Sequence, residues 1–173
     1  MKALFLDRDG IVNVDHGYVS TIDKFEFMDG VISLMRLFSQ AGYKLMIVTN
    51  QSGIGRGYYS QKDFDTLSFW MVDELKEREI DIEAIYYCPH TPNQNCNCRK
   101  PSIGMIEQAL QQYPISLEKS WMIGDKNSDI ELAHNAGIDN SIFIGSSKHS
   151  TASFSFKSVL ECHRYFQENQ DRI

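Results

Sequence analysis

Apolar positions cluster in five short runs separated by longer mixed stretches. "KALFL" spans residues 2–6, "KLMIV" 44–48, "AIYY" 84–87, "WMI" 121–123 and "SIFI" 141–144. Runs this short, apolar at consecutive positions and rich in bulky side chains, predict strands buried on both faces of a covered sheet. The stretches between them carry a helical period instead. Val31, Leu34, Met35 and Phe38 fall on one face and stop at Gly42, while Phe64, Leu67, Met71 and Leu75 follow a Ser60 to Asp63 capping signal. Further helices are predicted over residues 102–112 and 128–136, with the Ser-rich "GSSKHSTASFS" as a mobile loop before a last helix. Strands alternating with helices predict right-handed crossovers and an α/β, three-layer, Rossmann-like parallel sheet, with residues 1–173 forming a single domain.

Ligands of open parallel sheets bind beyond the carboxyl ends of the strands. The residues that follow the predicted strands are Asp7 and Asp9, Thr49 and Asn50, Cys88, and Asp125. In "FLDRDG" the alternation of an extended chain places Asp7 and Asp9 on one side, and Gly10 permits a sharp exit. A hard divalent cation such as Mg2+ takes oxygen ligands, so Asp7 and the distant Asp125 can hold it against a substrate phosphate. Asp7 then suits attack on phosphorus, and Asp9 suits proton transfer to the leaving oxygen and from the hydrolytic water. For Asp7 taken alone, a solvated acidic turn is the plain alternative.

"VTNQSGIGRG" offers a Thr hydroxyl at a strand end, then a loop whose amides and glycines 53, 55 and 57 suit an anion. Ordinary turn glycines compete with that reading. A dinucleotide site fits poorly, because the spacing is G-x-G-x-G and the loop follows the second strand. In "MIGDKNSDIELA", Asp129 falls near a helix start, where it either orients the Lys100 ammonium or belongs to a surface capping cluster.

Composition narrows the partners. A chain of 173 residues, 42% apolar, can bury a core unaided. A net charge of -6 and a pI near 5.3 argue against general affinity for nucleic acid or an anionic membrane. The first apolar run is too short for a signal peptide or membrane span, which predicts a soluble, cytoplasmic protein. Three of the four cysteines crowd into residues 88–98, and in a reducing compartment such thiols read as metal ligands; Cys162 stands apart as a buried or free thiol.

These residues resemble a family. "DRDG", Thr49, Lys100 and the Gly124–Asp125 segment with Asp129 look like the four motifs of the haloacid dehalogenase superfamily of aspartate-nucleophile phosphatases, over residues 3–145. More narrowly, "DHGYV", "FEFMDGV", "TNQSG" followed by "RG", "YYCPH" and "CRKP" resemble the D-glycero-D-manno-heptose 1,7-bisphosphate 7-phosphatases, with the histidinol-phosphatases as near relatives. The resemblance implies Mg2+-dependent hydrolysis of the C7 phosphate of a sugar bisphosphate, on a route to nucleotide-activated heptose and lipopolysaccharide. It implies Asp7 as nucleophile and Asp9 as acid/base. Asp7, Asp9 (through its carbonyl) and Asp125 become the Mg2+ ligands, and Thr49 and Lys100 stabilise the phosphoryl group. Asp15, His16, Gly17, Tyr18, Asn50, Gln51, Ser52, Arg99 and Lys126 match substrate-contacting positions. Two departures stand out. Ile11 replaces a common Thr at a position not expected to touch phosphate, and the loop from His90 to Cys96 is nearer the histidinol-phosphatase length.

Cys88, His90, Cys96 and Cys98 form C-x-H-x5-C-x-C, a donor set for a closed, tetrahedral, structural Zn2+ site. Its last ligand directly precedes Arg99, so the loop at 88–98 is expected to aim Arg99 and Lys100 at the phosphate. His134, His149 and His163 read as surface residues, and Phe64, Phe69 and Trp70 as helix core. Between residues 7 and 49 there is too little chain for a separate cap domain. The expected partner is a small sugar bisphosphate, and the expected state a monomer. Two other classes remain in view: a receiver-like phospho-acceptor module, which lacks an acid/base two residues on, and a zinc-stabilised binding protein without turnover.

Overall fold

The computed structural model describes residues 1–149 and 151–173. Six strands form one parallel sheet: β1 (Ala3–Leu6), β2 (Lys44–Asn50), β3 (Ile82–Cys88), β4 (Trp121–Gly124), β5 (Asn140–Ile144) and β6 (Phe154–Phe156). Their order is β3-β2-β1-β4-β5-β6, with every neighbouring pair parallel. The helices are α1 (Val31–Gln40), α2 (Ser52–Gly55), α3 (Gln61–Glu77), α4 (Gly104–Gln112), α5 (Asn127–Ala136) and α6 (Val159–Glu168). The three-layer α/β expectation holds.

Side-chain alternation on the strands explains the layers. Leu4, Leu6, Leu45, Ile47 and Ile123 pack with α1, α3 and α6 through Leu34, Phe38, Met71, Leu75 and Phe166. The intervening residues Ala3, Phe5, Met46, Val48 and Met122 pack with α4 and α5 through Met105, Ile106, Leu132 and Ala133. Both faces are therefore apolar, which is why β1 and β4 read as continuous apolar runs rather than alternating ones. The capping signal before α3 is realised in full: Asp63 N donates to Ser60 Oγ at 3.1 Å and Ser60 N to Asp63 Oδ2 at 2.7 Å.

Three expectations change. The Ser-rich segment contains β6, whose register with β5 runs from Ile142 opposite Phe154 to Ile144 opposite Phe156; Ser150 within it lies outside the described residues. Residues 52–55 close into the single turn α2. Phe69 is 73% exposed, because the buried stripe of α3 runs Phe64, Leu67, Met71, Leu75 and Phe69 falls off it. Trp70, by contrast, packs at the core margin, edge-on to Phe25 and stacked on Phe27. Among the described residues no helix is long and apolar enough to cross a membrane.

Phe166 ties the C-terminal helix to the sheet through edge-on contacts with Phe38, Trp121 and Phe154 and is fully buried. Phe166→Ala is expected to cost about 3–5 kcal/mol through lost burial and a residual cavity. Urea unfolding at equilibrium checks this; a loss under about 1 kcal/mol contradicts the packing.

Candidate active site

β1 and β4 are the strands at which the chain turns to opposite sides of the sheet, so their carboxyl ends open the crevice of a doubly wound fold. Leu6 pairs with Ile123 and Asp7 N donates to Ile123 O at 2.9 Å. That register sets Asp7 beside Gly124 and Asp125. Lys100 reaches the same point from beyond β3. Its Nζ lies 2.9 Å from Asp7 Oδ1 and 2.6 Å from Asp129 Oδ1, and it donates to Val48 O at 2.9 Å. All three side chains are buried.

Burial pushes the Asp7 carboxyl up to about 7 against the pull of Lys100, with Asp129 adding repulsion. For Lys100, burial works against the charge, but Asp129 and Asp7 outweigh it and hold its pKa above the ordinary lysine value. Asp129 also accepts from Lys126 N at 3.0 Å. It is thus both a helix cap and a buried counter-ion.

The carboxylates of Asp7, Asp125 and Asp129 offer oxygens within 4.8 Å of one another. Asp129 is committed to Lys100, whereas Asp125 Oδ1 is buried without a hydrogen-bond partner, and burial raises the Asp125 pKa. An orphaned, desolvated carboxylate oxygen beside a second carboxylate fits a hard divalent cation. The cradle is tight. A Cβ on Gly10, whose φ is +91, would stand 2.3 Å from Asp125 Oδ2.

Asp9 is held by three donors. Arg8 Nη2 and Asn13 Nδ2 donate to Oδ1 at 2.9 and 3.0 Å, and Gln51 Nε2 donates to Oδ2 at 3.0 Å. Gln51 Nε2 also donates to Thr49 Oγ1 at 2.9 Å. Asn50 is a clamp on the Lys100 backbone: its Oδ1 accepts from Lys100 N at 3.0 Å and its Nδ2 donates to Lys100 O at 3.3 Å.

Above these groups opens a cleft of about 390 Å3 lined by Asp9, Asp15, Gly17, Tyr18, Asn50, Gln51, Ser52, Tyr59, Arg99, Lys100, Lys126 and Ser128. Of the nine expected substrate-contacting positions, all but His16 line this cleft. His16 is exposed, with Nε2 3.4 Å from Glu26 Oε2, because the turn that Asp15 Oδ1 closes on Gly17 N at 3.0 Å carries it outward. Lys126 Nζ stands 3.6 Å from Asp15 Oδ2 across the cleft mouth. The glycine loop differs from the expected amide cradle: Gly55 N donates to Pro89 O and Gly57 N to Ile54 O, so these two amides close the turn. Ile11 is fully buried in the core, clear of the cleft.

Beside the cleft, Cys88, His90, Cys96 and Cys98 bring their donor atoms within 4.8 Å of one another. Cys88 Sγ lies 3.7 Å from Cys96 Sγ and 3.5 Å from His90 Nδ1, and the cysteines are free thiols. A tetrahedron with Zn–S bonds of about 2.3 Å has edges of about 3.8 Å, so the spacing fits zinc. Burial pushes the Cys88 thiol up. Cys96 is drawn down to about 7: burial raises it, but the Arg99 amide and the neighbouring Cys88, Cys98 and His90 favour its thiolate more. Arg99 Nη1 donates to His90 O at 3.4 Å, tying the guanidinium to the knot.

Fold and site define an aspartate-based phosphoric monoester hydrolase of the HAD type. A family model described as HAD-hydrolase-like matches residues 97–159. The D-glycero-beta-D-manno-heptose-1,7-bisphosphate 7-phosphatase of Helicobacter pylori strain J99 is 49% identical over 144 residues, 83% of each chain. That of Escherichia coli strain K12 is 46% identical over 158 residues, 87% of this chain and 83% of the other. A crystal structure of D,D-heptose 1,7-bisphosphate phosphatase from B. bronchiseptica, complexed with magnesium and phosphate, is similar at a TM-score of 0.82 and 26% identity, covering 98% of this chain and 99% of that one. The chain belongs to the D-glycero-beta-D-manno-heptose-1,7-bisphosphate 7-phosphatase family.

Sequence reasoning missed Arg8, Asn13 and Tyr59. A basic residue between two acidic ones just beyond an apolar strand is itself a signal of a buried ion pair; Asn13 and Tyr59 carry no such mark. One consequence follows from the cradle of Asp125. Gly10→Ala should displace that carboxylate and weaken Mg2+ binding about 10- to 100-fold, the usual effect of disturbing a ligand's support. Titration calorimetry with Mg2+ reads it; wild-type affinity in the variant would exclude Asp125 as a ligand.

Proposed function

We propose that the chain hydrolyses the C7 phosphate of D-glycero-β-D-manno-heptose 1,7-bisphosphate through an aspartyl phosphate on Asp7. One observation carries the reading: Asp7 ends β1 at the switch point, held at 2.9 Å by Lys100, with Asp9 fixed two residues on and facing the cleft. A cleft of about 390 Å3 suits a small ligand. The beta-heptose names of relatives 45–49% identical support this substrate over histidinol phosphate, despite the short 90–96 loop.

An Asp7 oxygen attacks phosphorus as the bond from phosphorus to the C7 oxygen breaks, and Asp9 gives its proton to that oxygen. Water then attacks the acyl phosphate, Asp9 takes its proton, and inorganic phosphate leaves with Asp7 restored. Thr49 and Lys100 stabilise the equatorial oxygens. Asp7, Asp125 and the Asp9 carbonyl would hold Mg2+, which when bound neutralises phosphoryl charge and orients the ester. Asp15, Gly17, Tyr18, Asn50, Gln51 and Ser52 meet the sugar and its reacting end, and Arg99 and Lys126 supply cationic partners for the second phosphate. The product, a heptose 1-phosphate, suits nucleotide activation for lipopolysaccharide. The chain works as a single-domain, cytoplasmic monomer, with structural Zn2+ on Cys88, His90, Cys96 and Cys98.

A receiver-like module is the weaker reading. Receivers of the flavodoxin-like order 2-1-3-4-5 differ from the order 3-2-1-4-5-6 seen here, and they lack a group equivalent to Asp9.

Two measurements test the proposal. Phosphate release across both heptose bisphosphate anomers, sugar monophosphates and histidinol phosphate should favour the beta bisphosphate, and Asp7→Asn should abolish multiple turnover without unfolding the chain. Sustained turnover by Asp7→Asn removes the covalent mechanism, and preference for histidinol phosphate reassigns the substrate.

For the knot, Cys96→Ser should lose zinc and roughly 100-fold in activity, because displacing Arg99 and Lys100 by about 1 Å disturbs a preorganised site. Its Mg2+ affinity should hold, since Asp7 and Asp125 stand on other strands. Elemental analysis beside kinetics decides; a zinc-free wild type, or a zinc-free variant of normal activity, shows that the thiols only pack.

A further inference from the structure

Gln51 lines the cleft yet is only 2% exposed, and most of its side chain is engaged within the protein. Its two ends have opposite polarity and each is spoken for. Nε2 donates to Asp9 Oδ2 at 3.0 Å and to Thr49 Oγ1 at 2.9 Å, while Oε1 accepts from the Tyr59 hydroxyl at 2.5 Å. A carboxamide can flip end for end with little change of shape. The flip is chemically decisive here, because a reversed Gln51 would turn its carbonyl oxygen on the Asp9 carboxylate and on the Thr49 oxygen.

The Asp9 carboxylate, which only accepts, opposes that reversal, and the phenol fixes the other end of the amide. Tyr59 is buried, and burial pushes its hydroxyl up to about 12, so it keeps its proton at physiological pH and can donate to Oε1. It is also seated with care. A Cβ on Gly53 would come within 2.1 Å of the Tyr59 ring, so the first turn of α2 leaves room for that ring alone. Thr49 receives the second half of the effect. With one lone pair engaged by Gln51, its own hydroxyl hydrogen is left free to donate elsewhere.

We propose that Tyr59 is a positioning residue for phosphoryl transfer: its hydroxyl locks the Gln51 amide so that one nitrogen orients Asp9 as acid/base and Thr49 as a donor to phosphate. This rests on the phosphatase reading above. The Tyr59 hydroxyl bonds to Gln51 rather than to Asp9 or Thr49, so it acts through Gln51.

The experiment compares Tyr59→Phe, Gln51→Met, the double variant and Gly53→Ala with wild type, measuring kcat and KM on the heptose bisphosphate and thermal unfolding. Tyr59→Phe should lower kcat about 10-fold, the loss of one hydrogen bond's worth of orientation, with KM within about twofold and an unchanged unfolding temperature. Gly53→Ala, which pushes the ring away, should reproduce that kcat loss. The double variant should match Gln51→Met alone, because the tyrosine's influence passes through the amide. A Tyr59→Phe kcat within about twofold of wild type overturns the proposal. So does strict additivity in the double variant, or a kcat loss that appears only together with lost stability. Wild type that releases no phosphate would instead sink the phosphatase reading, and leaves the two failures distinct.

Discussion

The structure turns on one buried ammonium. Lys100 Nζ sits between Asp7 and Asp129, with the Val48 carbonyl as its third partner. Taking one lysine out of water costs several kcal/mol, and its two partners offset that cost only while the geometry is kept. Each strand end contributes one member: β1 the Asp7 carboxylate, β2 the Val48 carbonyl, and the helix after β4 the Asp129 counter-ion. The sheet's register is therefore an electrostatic constraint as well as a packing one. A slip of one residue in β1 would exchange Asp7 for Leu6 at the crevice and leave the ammonium unpaired.

The same constraint accounts for the cysteine loop. Lys100 is not on a strand; it arrives on an irregular segment that must be as rigid as the sheet it reaches. Rigidity comes from two directions. Asn50 holds both backbone polar groups of Lys100 from the end of β2, and the donor knot of Cys88, His90, Cys96 and Cys98 closes the loop immediately upstream. Arg99, between clamp and knot, donates to the His90 carbonyl. A segment with few apolar side chains thus acquires a fixed path from polar and sulfur groups, as loops must when they cannot bury a core of their own.

How much of this was legible in the sequence follows from what kind of interaction carries each part. The sheet was legible because a doubly covered strand must be apolar at consecutive positions, and Phe5, Met46 and Met122 are as buried as Leu4, Ile47 and Ile123. β6 was hidden, since Phe154, Ser155 and Phe156 are only half-buried at the sheet edge and flanked by serines. Asp7, Asp125 and the cysteine knot were legible by residue type and spacing. The support of Asp9 was not, because Arg8, Asn13, Gln51 and Tyr59 meet only after the chain has folded, and none carries a periodic signal. His16 shows the converse: a position taken from a motif faces solvent when a tight turn carries it outward.

Charge balance explains why the site needs a cation at all. Asp7, Asp125 and Asp129 face one ammonium, so full ionisation would leave two negative charges uncompensated in a desolvated crevice. Burial, first among the causes, raises the Asp7 and Asp125 pKa values. A doubly charged cation is the complement that would let all three carboxylates ionise together. The cleft beside this cluster is lined by Arg99 and Lys126, two cations that the inner cluster does not consume. Acidic cluster and basic rim are thereby electrostatically complementary: the first calls for a cation, and the second for an anion.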